Sequence, residues 1–566
     1  MGLLLAAWLV MQVFTAGVGD LYNETDGQYT GASKSMVESG DWLIPYNNEV
    51  PRLVKPPLLY WAMSSSFILF GLNEFAARLP NAIGIGLLML LTFLIGERLR
   101  STWTGFAAAM IFLLLPGTSI MGRVVMPEPL FCAAIVTAIY ALLRLRESCE
   151  RQWVLLFWLG ATLAVFVKGL HGLLYPAALA GLAALFWREC RLPFRRLFDW
   201  RGILLFLVVQ LPWLWLVENR YPGFLNELFV NQQMGHLLKT RWPPMPDAVP
   251  REQFLMLHLA WFFPWIWFAL AGLTSPRRWW NQLKNFDTGF PWLWAALIFG
   301  TVLAAGQRQD YYAMAGWPAA AILMASVWSD VTRVTRLRVV AAGIALLALI
   351  GLIALAWMPT PDVASDLTHA ADRATATQAV AALPAQFWAP MRTAGLWAAA
   401  ILATGFGIGW WLGRSGNARL IFAPVSIACI LIGLMAIHGM AFAAPFFSSA
   451  EGARVIQRLA ETKAKVVFDG PPQLASSLCF YLDRPFYYVG QPAEHEFGVR
   501  ATGEGADRFL PTETFIEDWR KPGAQFFLII ESSREPYWRD RLGNEWHLVS
   551  RYGSHMVVAS FDPFSS

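Results

Sequence analysis

Cysteine is scarce, and so is charge. Cys132, Cys149, Cys190, Cys429 and Cys479 are the five cysteines in 566 residues. None forms a CxxC pair and three fall in or beside apolar stretches, so neither a disulfide framework nor a thiolate metal site is expected. Charged residues amount to 15% of the chain, far below what a soluble globule of this length carries. There is no glycine-rich nucleotide loop, no nucleophile elbow and no internal repeat of fixed period. A net charge of +5 is dispersed over short loops, which leaves no basic stripe to meet a nucleic acid.

What is abundant is apolar. Hydrophobic residues reach 56%, and the 28 tryptophans suit the two interfaces of a bilayer. Apolar stretches run at 3–18, 79–96, 103–121, 129–143, 153–167, 170–187, 202–217, 255–273, 291–305, 312–328, 338–357, 394–412 and 420–444. That is about thirteen spans near the ~20 residues a bilayer asks for. Met1 to Val18 lacks a basic leading region and GDLYNE is a poor cleavage site, so a first span is expected there instead of a signal peptide. Residues 58–72 are short and serine-interrupted, as a re-entrant or interfacial helix would be.

Alternate loops gather the arginines, from Arg98 and Arg100 through Arg195 and Arg196 to Arg414 and Arg419. Those loops are expected in the cytoplasm. The remaining segments, 19–61, 218–254, 358–392 and everything after 445, then face outward. Beyond 447 charge rises and short apolar strands appear in AKVVFDG, RPFYYVG, AQFFLIIESS and HMVVASF. They alternate with helical stretches at 450–462 and 511–520. The fold class expected is a polytopic α-helical membrane protein, residues 1–446, followed by a soluble α/β domain, 447–566, given an accessory role.

The outward loop 19–61 is longer than a connection needs. Glu24 and Asp26 lie just outside the first span, a helix-like stripe through Tyr29, Met36 and Val37 is expected to lie on the surface, and Pro45, Pro51, Pro56 and Pro57 stiffen the return. An outward carboxylate there can act as general base, and a solvated loop acid is the plain alternative. Arg123 and Glu128 flank RVVMPEPLF, readable as an interfacial salt bridge or as a helix-terminal acid that assists the base. Lys168, in VKG between two apolar segments, and Arg308, in QRQDYYAMAGWP, put cations at membrane depth, where charge is costly and usually functional. Both can hold a phosphate oxygen. His171 and His236 are weaker contacts of the same kind.

The ordered strings YNETDGQYTGASKSMVESGDWLIPYNNEVPRLVKPPLLYW, EFAARLPNAIG, RVVMPEPLF, VKG, YPGFLNELFVNQQMGHLL and QRQDYYAMAGWP resemble the bacterial branch of the GT-C glycosyltransferases. That branch holds the protein O-mannosyltransferase-like enzymes and the aminoarabinose transferase of lipid A. The resemblance implies a GT-C fold with its active face in the periplasm of a bacterial inner membrane. The implied reaction moves a sugar from a polyprenyl-phosphate donor to a lipid A, glycolipid, glycan or protein acceptor.

By the same resemblance the catalytic acids are Asp26 or Glu24, with Glu128 in the second acidic motif. Lys168 and Arg308 bind the donor phosphate. Tyr29, Arg52, Lys55, Arg78 and Tyr312 are further substrate contacts. Membrane lipids are partners and nucleic acid is not. No cofactor or protein-bound metal is required, with a divalent cation left open. A transporter or flippase of an amphipathic anion is the alternative, although its charges would gather at the bilayer midplane. A scaffold would explain the large loop but not the cations.

Overall fold

The computed structural model describes residues 1–566 apart from 239, 244–247, 273–275, 358–384, 460–463, 544–545 and 565–566. The expected outward segment 358–392 therefore lies largely outside the described residues, as does the side chain of His236. Seven described helices are long and apolar enough to cross a membrane: Glu74–Leu99, Glu128–Ser148, Trp200–Arg220, Phe286–Ala304, Val334–Trp357, Trp388–Ser415 and Ala418–Phe447. The pair Arg251–Trp261 and Trp265–Ala271, bent by 92°, adds an eighth if it is one broken span. Shorter apolar helices fill Gly2–Val13, Leu58–Phe70, Thr102–Leu113, Arg151–Val167 and His171–Phe186.

Helix starts follow local chemistry. Asn73 caps Glu74–Leu99 by accepting from Ala76 N at 2.9 Å, and Ser101 caps the next helix by accepting from Thr104 N at 3.2 Å. Inside the bundle an aromatic nucleus forms around Trp265, Phe268, Trp328 and Phe422, with Phe268 and Trp328 centroids 4.8 Å apart.

The first loop is not a surface helix. Thr25–Ser39 is buried along most of its length, sandwiched between the bundle and the C-terminal domain. Gly27 and Gly31 make that possible: a Cβ on Gly27 would lie 2.2 Å from Ser477 N, and one on Gly31 2.4 Å from Cys479 Cβ. Lys34 anchors the far end, its Nζ donating to the carbonyls of Phe480 and Leu482. The expected extended return contains a hairpin that the prolines did not announce, β1 (Tyr46–Asn47) against β2 (Val50–Pro51). Its turn residues Asn48 and Glu49 both have positive φ, the conformation a tight two-residue hairpin demands.

After Phe447 the chain forms a five-stranded sheet from β3 (Lys465–Asp469), β4 (Tyr487–Val489), β5 (Phe526–Glu531), β6 (His547–Tyr552) and β7 (His555–Ala559), in the order β4-β3-β5-β7-β6. β3 runs parallel to β4 and β5, and β7 antiparallel to β5 and β6. Alternate residues of β3, β5 and β7 enter two separate cores, so both faces are covered and these strands read as continuous apolar runs. β6 is an exposed edge with a weak apolar pattern and has no counterpart among the expected strands. The loops leaving the carboxyl ends of β3 and β4, 470–477 and 490–495, both dock on the membrane side, the edge at which open α/β sheets place their functional loops.

Candidate active site between the bundle and the C-terminal domain

Lys55 follows β2 on the way to the helix Leu58–Phe70, in a segment that Pro56 and Pro57 hold away from helical geometry. Its ammonium has no hydrogen bond or ion pair among the described residues. Burial, then repulsion from Arg241, Lys168 and Arg52, pushes its pKa down to about 7 against a weaker pull from Glu494. Arg52 is 3% exposed; its Nε donates to Tyr60 Oη at 3.1 Å and its guanidinium lies 5.2 Å from the Tyr29 ring centre. Glu494, from the loop after β4, bridges the two arginines, with Oε1 accepting from Arg241 Nη2 at 3.0 Å and Oε2 standing 3.7 Å from Arg52 Nη1. Those cations hold its carboxyl down at about 2 although burial pushes the other way.

Lys168 terminates Arg151–Val167 and pairs with Glu128 Oε1 at the start of Glu128–Ser148. Its Nζ sits 4.3 Å from the Tyr312 ring centre and 5.5 Å from that of Phe131. Glu128 is 2% exposed and its Oε2 is buried with no hydrogen-bond partner, an acceptor left open beside a cation. Gly169 (φ +132°) does permit a close approach, and what approaches is Gln233, whose Oε1 accepts from Leu170 N at 2.8 Å. A narrow apolar cleft is lined by Pro56 and Gly169, the chain neighbours of Lys55 and Lys168, together with Leu170, Phe206, Leu214 and Phe229.

The two loop acids are drawn apart. Glu24 has φ +63° and an exposed side chain, and its backbone is tied to the C-terminal domain through Gln473 O at 2.9 Å and Ser476 Oγ at 3.2 Å. Asp26 is 1% exposed; Oδ1 accepts from Val125 N at 2.7 Å and Oδ2 from Tyr22 N at 3.1 Å, with Arg78 Nη2 at 3.8 Å. Burial raises its carboxyl above the ordinary range against the pull of Arg78. Both oxygens hold backbone donors, so Asp26 fastens the loop helix to the segment that leads into Glu128.

Arg78, expected as a substrate contact, and Arg308, expected at the donor phosphate, both donate to backbone carbonyls. Arg78 donates to the carbonyls of Arg123, Ala16, Val18, Gly19 and Asp20 at 2.8–3.2 Å, stitching the exit of the first helix to the turn before Glu128. Arg308 reaches the carbonyls of Val302, Ala305 and Val249, and its own carbonyl accepts from Val249 N at 2.9 Å, which closes the loop between two helices. The Arg123–Glu128 bridge is also corrected. Arg123 donates to Val18 O at 2.9 Å and Glu128 pairs with Lys168. Lys55, Arg52, Lys168, Glu128, Tyr29 and Tyr312 do converge. Arg241 and Glu494 join them without any signal in the sequence beyond their place in outward segments. Among the described residues no three His, Cys, Asp or Glu side chains gather as a metal would require.

Residues 54–216 match the family model described as dolichyl-phosphate-mannose-protein mannosyltransferase. An undecaprenyl phosphate-alpha-4-amino-4-deoxy-L-arabinose arabinosyl transferase of Pseudomonas fluorescens is 24% identical over 51% of this chain and 52% of its own length. An uncharacterized protein of Aquifex aeolicus is 27% identical over 57% of this chain and 62% of its own. The chain thus spans about half the length of the curated relatives it matches. The fold agrees from end to end with the crystal structure of ArnT from Cupriavidus metallidurans bound to undecaprenyl phosphate, with a TM-score of 0.81, 22% identity, and 99% of this chain and 98% of that one covered. The chain therefore has the fold of ArnT, and its sequence is similar to protein-mannosyltransferases over residues 54–216 and to aminoarabinose transferases over about half its length.

Proposed function

We propose that the protein transfers a sugar from a polyprenyl-phosphate donor to a hydroxyl or amine acceptor, at the periplasmic face of a bacterial inner membrane that it crosses about thirteen times. The observation that carries this is Lys55, a half-buried ammonium without a partner among the described residues, set among Arg241, Lys168 and Arg52 and next in the chain to Pro56, which lines an apolar cleft. A phosphate monoester on a long hydrocarbon satisfies both features at once: the anion settles on the cations and the start of the chain lies against the cleft. The ArnT structure bound to undecaprenyl phosphate supports the same ligand class.

The chemistry is a single inverting displacement. The acceptor oxygen or nitrogen forms its bond to the anomeric carbon as the bond from that carbon to the phosphate oxygen breaks, and the electron pair leaves with the polyprenyl phosphate. Lys55, Arg241 and Lys168 hold the charge that grows on the phosphate. The acceptor's proton goes to a carboxylate, and the open Oε2 of Glu128 supports that residue as the base. Asp26 positions it through Val125, and Glu24 belongs to the seam with the C-terminal domain. The cations already neutralise the leaving group, so the reaction calls for neither nucleotide nor metal. No observation favours transport.

The test is donor consumption and product formation in proteoliposomes given a polyprenyl-phosphate sugar and a lipid acceptor. Glu128→Gln should lower kcat by about 10²-fold or more with donor affinity retained. Asp26→Asn should lower kcat while leaving the pH profile in place. If Glu128→Gln turns over normally and Asp26→Asn removes the acidic limb of that profile, the base is Asp26. If the native chain translocates donor without consuming it, the transferase reading fails.

A further inference from the structure

A second built cavity, of about 610 Å³, lies among the arginine-bearing loops at the other end of the bundle. One wall is the short helix Trp265–Ala271, which turns 92° from Arg251–Trp261. The short helix then has two stripes. Trp265 and Phe268 enter the aromatic nucleus against Trp328, at 6.1 and 4.8 Å between centroids, and Ile266, Ala269 and Leu270 face the cavity. Ala320, Leu323, Met324 and Val327 form the facing wall. Rigid aromatic packing behind one wall keeps the space preformed.

The mouth is polar and cationic. Arg333 Nε pairs with Asp330 Oδ2 at 2.9 Å, whereas the guanidinium of Arg100 has no hydrogen bond or close ion pair among the described residues and feels Asp287 only from farther off. Ser326, Ser329 and Gln282 complete the rim. Two arginines at the rim of a largely apolar chamber, against one carboxylate in its lining, suit an anion carrying a hydrocarbon. A soluble anion would leave the chamber unfilled and a neutral lipid would leave Arg100 unmatched. The positive-inside pattern puts these loops against the leaflet rich in anionic lipid. We propose that this cavity seats one acyl chain of an anionic phospholipid, with its phosphate on Arg100 and Arg333.

The test uses full-length protein in neutral detergent, titrated with phosphatidylglycerol or phosphatidylcholine and read by native mass spectrometry. One phosphatidylglycerol per chain should be retained in preference to phosphatidylcholine. Arg100→Gln should weaken that retention about fivefold, and Ala269→Phe, which fills the chamber, should abolish it, both with donor turnover unchanged. Should Ala269→Phe fail to insert, Leu323→Trp fills the same space from the facing wall. Equal retention of the two lipids, or retention untouched by filling, identifies ordinary annular lipid and overturns the proposal. Full displacement of the lipid by inorganic phosphate also overturns it, since only the headgroup would then be recognised.

Discussion

Replacing Lys55 by Met should move stability and binding in opposite directions. In the free protein this ammonium has its pKa pushed from 10.5 down to about 7. Between those values the unfolded chain binds the extra proton and the folded chain does not, so stability rises with pH across that window and the full penalty is present below it. Three and a half units give an upper bound of ~5 kcal/mol. Water screening at a half-buried site brings this to ~2 kcal/mol. Lys55→Met removes the penalty, so at pH 6 the ligand-free variant should melt several degrees above the native chain, and the gap should narrow toward pH 9. Binding should fail. Loss of one charge-assisted contact to phosphate costs ~1.5–3 kcal/mol, a ten- to hundredfold rise in Kd for undecaprenyl phosphate. The assays are thermal melts in detergent across pH and tritiated-lipid binding. A variant that melts lower at pH 6 while holding undecaprenyl phosphate at native affinity would refute the placement of the phosphate at this cluster.

Glu494→Gln should destabilise the ligand-free protein at pH 7 by ~3 kcal/mol, because Arg52, Arg241 and Lys55 lose their shared anion. Its depressed carboxyl, at about 2, contributes stability above the ordinary value of 4.5 that disappears as pH falls toward 2, so melts at pH 7 and pH 3.5 should converge on the variant. Arg308→Lys should lower the melting temperature and leave the donor KM unchanged, since its donors go to backbone carbonyls. A raised KM would return it to the phosphate site. Gly31→Leu should disrupt the packing of the loop helix on Cys479 and Asn47, costing ~2 kcal/mol or more and most activity, read by melting and turnover. Treatment with EDTA should leave turnover unchanged, as the phosphate charge is met by side chains.

Composition and periodicity determined the membrane bundle, because a run of apolar residues has few other places to go, and among the described residues seven of the expected runs, or eight with the bent pair, form helices long enough to cross a bilayer. Alternating runs likewise revealed β3, β4, β5 and β7, while β6 stayed hidden because an exposed edge strand buries too little to leave a pattern. The order of short strings pointed to the GT-C resemblance and to Lys55, Lys168, Glu128 and Tyr312. Sequence could not tell a cation paired with a carboxylate, as Lys168 is with Glu128, from one spent on carbonyls. Lys168 and Arg308 look alike in one dimension, and only the fold puts Arg308 within reach of Val249 and Ala305. Nor could it show how Asp26 is held, since its partners Val125 N and Arg78 are distant in the chain. Glu494 and Arg241 meet across 253 residues because loops from two domains close on one anion site, a juxtaposition that local propensity does not encode and tertiary packing alone decides.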